Sequence, residues 1–313
     1  MKILVTGAAG YIGSSVCEYF SSMGNEVVGF DNLWYDQGTL VSSVFCDKGG
    51  KLYIEDVTNW SDNLIHHIKT SDVIIPLAAL VGAPLCDKYQ YVTKALNQDW
   101  FSELIPYLNN QLVIYPNTNS GYGSTGEEIC TEETPSNPLS LYARTKQAAE
   151  DTLISGYRNT VCFRLATVFG WSYRPRTDLL VNNLVKVAQE EGNITVFDPQ
   201  FRRNYIHVKD IVRGFDFAIE EQRYMKGQVY NLGNDNLNTT KMELVKLVCK
   251  ELGATYSVVT DRTDPDKRDY NVSSGKLYNL GYRPNYTLEY GIAEMSRFYD
   301  LMSPNDAERC RNY

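Results

Sequence analysis

The chain has 313 residues, 43% hydrophobic and 22% charged, with a formal net charge of -8 and a pI near 5.1. That length can bury a full core as one large or two modest domains, and the composition is that of a folded protein rather than a disordered one. The acidic balance argues against nucleic acid or a membrane surface as a general partner, since both need a positive field.

Met1 runs directly into the strand-like KILVTG, so no signal peptide is expected. No apolar run approaches the roughly 18 residues of a membrane span, and the expected setting is cytoplasmic. Cys17, Cys46, Cys86, Cys130, Cys162, Cys249 and Cys310 are odd in number and scattered. That pattern fits reduced thiols, not a disulfide or zinc framework, and no metal is expected.

Along the chain, short apolar runs alternate with helical patterns: KILVTG, a helix over about Ile12 to Met23, EVVGFD, KLYIED, DVIIPLAA, QLVIYP and TVCFRLATV. Such runs, spaced by helix-length segments, predict parallel strands covered on both faces: an α/β, doubly wound Rossmann sheet. After Gly170 the rhythm changes to WSYRPR, a helix from about Asp178, a short strand at NITVF and polar segments, which predicts a smaller α/β lobe for the substrate. RNYIHV and GQVYNLG still look like buried strands able to return to the first sheet. The expected division is residues 1–170, with a return segment at about 204–232, for the cofactor, and 171–203 with 233–313 for the second lobe.

TGAAGYIG follows the first strand and opens the first helix. Gly7 permits the tight turn, Gly10 a close approach of pyrophosphate to backbone, and Gly13 close helix packing, with the phosphates on the helix's positive end. The second strand ends in Asp31, where a carboxylate can accept both ribose hydroxyls of an adenosine. No Lys or Arg lies between Lys2 and Lys48 to meet a 2′-phosphate, so NAD is expected rather than NADP. Asp56, after the third strand, fits either an adenine contact or a cap on the helix that follows.

PNTNSGYG, residues 116–123, ends the QLVIY strand; it is a plain turn or the presentation of a hydroxyl. YARTK then places Tyr142 and Lys146 four apart in a helical segment, on one face. With 23 tyrosines, a Y-x-x-x-K spacing arises by chance about once, so position has to decide. The copy at Tyr205 and Lys209 falls in a strand-like run that sets the two ~13 Å apart. Tyr142 instead starts a helix at the sheet edge where parallel α/β folds bind ligands. A lysine charge beside a tyrosine favours phenolate and lowers its pKa toward that of a general base. Thr118 is then the hydroxyl that holds a substrate in line, with Gly121 and Gly123 letting the backbone pass close to cofactor and substrate.

Together these residues resemble the extended short-chain dehydrogenase/reductase family, particularly its nucleotide-sugar epimerases and dehydratases, over nearly the whole chain. The likeness rests on TGAAGYIG, DNL at 31–33, DV at 56–57, LAA at 77–79, Asn97, the Thr118/Tyr142/Lys146 set, RLATVFG at 164–170 and RRNYIHVKD at 202–210. It implies that Tyr142 takes a sugar hydroxyl's proton while nicotinamide takes the hydride, with Lys146 on the nicotinamide ribose and Thr118 positioning. The cofactor residues it implies are Gly7, Gly10, Tyr11, Ile12, Gly13, Asp31, Asn32, Asp56, Val57, Leu77, Ala78, Ala79, Asn97, Tyr142 and Lys146. The substrate residues are Val81, Thr118, Asn119, Ser120, Thr167, Asn183, Arg203 and Arg268. Thr167 stands where the family's R-Y-F-N-V-Y-G segment has Asn, so that amide contact is not carried over. Arg203 matches an arginine on the nucleotide diphosphate. For Arg268 a solvated charge or alignment of Arg262 in its place is equally open, and Asn183 fits a phosphate contact or an exposed helix position. His66, His67 and His207 lack metal-like spacing, and His207 is expected to be structural.

In the family's dehydratases an Asp and a Glu follow the catalytic threonine, whereas Asn119 and Ser120 follow it here, and neither titrates near neutrality. Glu127 and Glu128 come later and read as solvated. The expected reaction is therefore C4 oxidation of a nucleoside-diphosphate sugar by a 4-dehydrogenase or a 4-epimerase. LAALVGAPL, PNTNSGYG, RLATVFG and DPDKRDY are also similar to bacterial enzymes that oxidise C4 of a GDP-linked heptose. The alternatives are a 4,6-dehydratase and a catalytically silent NAD-binding regulatory protein; the intact Thr118, Tyr142 and Lys146 count against the latter. The resemblance also implies a homodimer, through helices near Tyr89 to Leu108 and Pro138 to Ser155.

Overall fold

In the computed structural model, residues 1–36, 46, 49–126, 128–260 and 268–312 are described. The strands, in chain order, are β1 (Lys2–Thr6), β2 (Glu26–Asp31), β3 (Lys51–Ile54), β4 (Val73–Pro76), β5 (Leu112–Thr118), β6 (Ile129–Cys130), β7 (Thr160–Leu165), β8 (Thr167–Phe169), β9 (Asn193–Val196), β10 (Arg202–His207), β11 (Gln228–Leu232), β12 (Asn234–Thr240), β13 (Thr255–Val258) and β14 (Asn271–Val272).

Alternate residues of the apolar runs go to opposite faces of one sheet, as strand geometry requires. Ile3, Val5, Val73, Ile75, Ile114 and Phe163 pack on one side with Val16 and Phe20 of the helix Tyr11–Ser22 and Phe215 of the helix Val208–Glu220. Leu4, Ile74, Val113, Tyr115 and Cys162 pack on the other, against Leu64, Trp100 and Leu153 from three further helices. Both faces being covered, the seven strands run parallel in the order β11-β7-β5-β4-β1-β2-β3. The order reverses between β1 and β4, which opens a crevice at the carboxyl ends of those strands.

Gln228–Leu232 forms the far edge of this sheet, beside β7. Arg202–His207, also expected to rejoin it, pairs instead with β8 and β12 in a separate three-stranded sheet. The reason is a change of partner after Leu165: Ala166 N–H donates to Leu232 at 3.0 Å, and the chain beyond leaves the large sheet to lie along β10. A second core gathers Phe169, Val185, Tyr205, Leu244, Ile292 and Met295 between the helices Leu180–Glu191, Lys241–Leu252 and Leu288–Tyr299. The first of these begins at Leu180, two residues past the expected start, because Leu179 still has extended backbone, with ψ of 143°. Among the described residues no helix is long and apolar enough to cross a membrane.

Candidate active site

A cleft of about 1100 Å³ starts at the crevice and runs into the second lobe. At its head β1 turns at Gly7, with φ of +68°, and the helix Tyr11–Ser22 begins without a side-chain cap or an acidic residue in its first turn. A Cβ on Gly7 would lie 2.7 Å from the Ala78 backbone nitrogen, and one on Gly13 only 2.0 Å from the Gly7 carbonyl oxygen. The glycines are thus required by backbone packed on backbone, which leaves open N–H groups facing the cleft, the chemistry that receives a pyrophosphate. Tyr11 lends only its main chain there, since its hydroxyl donates to the Gly170 carbonyl at 2.7 Å.

Asp31, at the end of β2, is buried and lines the cleft. Its carboxylate accepts from the Ala9 N–H at 3.0 Å and the Leu33 N–H at 2.8 Å. Burial pushes its pKa up, opposed by those two bonds and by the charge of Arg174. The absence of cations from the sequence around Asp31 is therefore corrected in space, where the loop after β8 returns Arg174. Asp56 serves as a cap: its carboxylate accepts from Thr58 N–H at 2.9 Å and from the Asn32 amide at 3.0 Å, while also lining the cleft. Burial raises its pKa, but those bonds together hold it below the usual range.

Thr118 ends β5 and accepts from the Ser120 N–H at 3.1 Å, closing a short 3-10 turn. Ser140 caps the helix Leu141–Gly156, whose first turn carries Tyr142 into the cleft beside Thr118, while the Thr118 hydroxyl itself donates to the Ser120 hydroxyl at 3.0 Å. Lys146, one turn on, is buried with its ammonium 4.2 Å from the centre of the Tyr115 ring. Burial pushes Lys146 down to about 7 and Tyr142 up to about 12, the latter despite Arg268, Arg176 and the neighbouring Thr118 hydroxyl. The lowering expected for Tyr142 is thus reversed in the protein alone: desolvation of its phenol outweighs the positive charges of Arg268 and Arg176. Behind them Glu150 is fixed by Arg164 at 2.7 Å and by Asn117 at 2.7 Å.

All the remaining expected residues line this one cleft except two. Asn97 is fully buried on a wide π turn, where its amide donates to the Leu80 carbonyl at 2.8 Å and accepts from the Leu80 N–H at 3.0 Å. It positions the Leu77 to Val81 loop rather than lining the cofactor space. Asn119 points into the protein, 1% exposed, and only Ser120 of that pair borders the cleft. Of the glycines in PNTNSGYG, Gly123 has a different reason: a Cβ there would lie 2.4 Å from the Asn137 carbonyl oxygen, so it serves packing against the chain crossing behind, whereas one on Gly121 would make only an ordinary contact with Gln147.

At the far end Arg203, Lys241 and Arg268 converge from three segments, with Asn183 and Thr167. Arg203 lies over the Tyr270 ring, and Arg268 donates to the Ser120 hydroxyl. Arg262 and Glu127 fall outside the described residues, and Glu128 is exposed. Lys241, Arg174, Arg176, Trp34, Tyr35 and Asn312 also line the cleft and were not foreseen. The signal for two of them was legible: WSYRPR puts two arginines directly after the buried RLATVFG run of an acidic chain. Tyr205 and Lys209, the decoy pair, part company, with Tyr205 in the second core and Lys209 bound to Glu294.

Residues 3–233 match the NAD dependent epimerase/dehydratase family. The chain belongs to that family. Among family relatives, the dTDP-glucose 4,6-dehydratase of Streptomyces niveus is 25% identical over 98% of this chain and 97% of its own. The crystal structure of UDP-glucuronic acid 4-epimerase from Bacillus cereus in complex with UDP-glucuronic acid and NAD matches with a TM-score of 0.84 at 26% identity, covering 96% of this chain and 99% of that one. That of dTDP-glucose 4,6-dehydratase from Bacillus anthracis in complex with NAD has a TM-score of 0.84 at 26% identity, covering 99% and 100%. This family member is an NAD-dependent enzyme of the extended short-chain type, and the bare glycine cradle and Asp31 fit the cofactor. NAD is expected to bind about tenfold or more tighter than NADP, because a 2′-phosphate would face the Asp31 carboxylate. Competitive titration checks this, and equal affinity would contradict the role of Asp31.

Proposed function

We propose that this enzyme oxidises the C4 hydroxyl of a nucleoside-diphosphate sugar without eliminating water, releasing a 4-keto sugar or returning the hydride to give the 4-epimer. The observation that carries the reading is that Thr118, Tyr142 and Lys146 line the same cleft as the glycine cradle, with Asn119 and Ser120 instead of carboxylates after Thr118. When bound, NAD supplies the hydride acceptor. Thr118 orients the sugar hydroxyl, and Tyr142 as phenolate takes its proton as the C–H bond opens. Lys146 holds a buried positive charge beneath this pair whenever it is protonated, which favours the phenolate.

Elimination across C5 and C6 needs a base for the C5 proton and an acid for the departing hydroxyl. Asn119 is turned away, Ser120 is engaged by Arg268, and neither residue titrates near neutrality. Arg203, Lys241 and Arg268 suit a diphosphate, which guanidinium groups grip through paired hydrogen bonds. Within this reading the substrate is a GDP-linked heptose, on the likeness of the four segments quoted above. A homodimer through the helical segments near Tyr89 to Leu108 and Pro138 to Ser155 belongs to the same proposal, supported by Tyr91 standing 87% exposed. A panel of GDP-, UDP-, CDP- and dTDP-linked sugars, followed by nicotinamide absorbance, tests the substrate class. Neither NAD reduction nor inversion at C4 with any of them would contradict the proposal.

A further inference from the structure

Two arginines of the loop after β8 line the dinucleotide end of the cleft, and among the described residues only one is paired with a carboxylate there. Arg176 is bound by both oxygens of Asp178 at 2.6 Å. Arg174 is just as buried, 4% exposed, and among the described residues it has no carboxylate at ion-pair distance. Its bonds go to neutral oxygens, the Asn312 side chain at 2.6 Å and the Arg311 carbonyl at 3.2 Å. Asp31 and Asp178 act on this guanidinium only from beyond ion-pair distance; without a carboxylate in contact its burial is costly unless a ligand provides one, and its fork keeps further N–H groups for that purpose.

The surroundings say which anion. The Arg174 N–H bonds Ser172 at 3.3 Å, and Ser172 bonds the Tyr11 carbonyl and Ser14 in the first turn of the cradle helix, the latter at 3.0 Å. Arg174 itself lies 4.9 Å from the centre of the Tyr35 ring, in the segment that follows Asp31. Residues 309–312 bridge these two walls: Arg309 bonds Asp36 at 2.7 Å, the Cys310 carbonyl accepts from Thr177 at 3.2 Å, and Asn312 borders the cleft.

We propose that Arg174 is a cofactor-binding residue that answers the pyrophosphate from the side opposite the glycine cradle, and that residues 309–312 latch it there, so that the dinucleotide leaves only when this strap opens. The inference rests on the NAD cofactor and not on the sugar chemistry, so it stands or falls separately from the proposed reaction.

The test is NADH release from the full-length protein, read by nicotinamide fluorescence during displacement, in wild type, Arg174→Ala, Arg174→Lys and Asn312→Ala. Release is expected to be about tenfold or more faster in Arg174→Ala, partly restored by lysine, and faster to a lesser degree in Asn312→Ala. ADP affinity should fall in Arg174→Ala while adenosine affinity does not, which a general loosening of the fold would not produce. Should Arg174→Ala lack a cooperative melt, Arg174→Lys and Asn312→Ala carry the comparison. NADH release within twofold of wild type in the folded variants, or equal losses for ADP and adenosine, would overturn the assignment.

Discussion

Tyr142→Phe is expected to lower the rate of sugar oxidation by roughly 10²–10⁴-fold while leaving NAD affinity within a few-fold of wild type. The ring stays in place, because it packs against Leu80, Leu85 and Cys86, and what disappears is the phenol oxygen that borders the cleft beside Thr118. Nothing equivalent takes over: Ser120 is held by Arg268, and Lys146 lies beneath the ring of Tyr142's own helix against Tyr115. Single-turnover reduction of bound NAD, measured beside a binding titration, separates the two effects. Wild-type turnover in the variant would remove Tyr142 from the role of base.

A second large effect concerns stability, through Lys146. Its folded pKa of about 7 lies well below the ordinary lysine value of 10.5 because burial disfavours the ammonium. Below pH 7 the group is charged in both folded and unfolded chains, and the folded state bears the whole cost of burying it. Between pH 7 and 10.5 the folded chain binds fewer protons than the unfolded one, so stability rises with pH and the cost fades. A methionine fills the same space without charge, so Lys146→Met is expected to stabilise the cofactor-free protein at pH 6 by up to about 4 kcal/mol, and by far less at pH 10. Loss of the contact with Tyr115 makes this an upper figure. Denaturant unfolding at the two pH values checks it, and a variant less stable than wild type at pH 6 would contradict the burial argument. The same lysine is expected to cost activity when replaced, the pattern of a residue kept for chemistry at the expense of stability.

The large sheet was legible because each strand is an uninterrupted apolar run covered on both faces, a pattern that depends on nothing distant in sequence. Arg202–His207 reads the same way, yet its sheet is decided by which edge remains once Gln228–Leu232 occupies the one beside β7. The site divides similarly. Gly7, Gly13, Asp31, Thr118 and Tyr142 sit at strand ends or helix starts whose position the local pattern determines. Arg174 and Asn312 meet across the chain, and Lys241 enters from the start of a distant helix, so no local spacing announces them. Asn97 was assigned to the cofactor from a family pattern, whereas its two bonds to Leu80 show it shaping the loop beneath. The direction of the Tyr142 shift was missed for a physical reason: a sequence shows the neighbouring charge but not the burial that outweighs it.

The mass of the sugar product, after incubation of the NAD-loaded enzyme with the nucleoside-diphosphate sugar it accepts, tests the central claim most directly. The account predicts either a loss of two hydrogens, for a released 4-keto sugar, or an unchanged mass with inverted C4. Loss of a water molecule would contradict it, since the residues after Thr118 would then be performing an elimination for which Asn119 and Ser120 hold neither the acid nor the base.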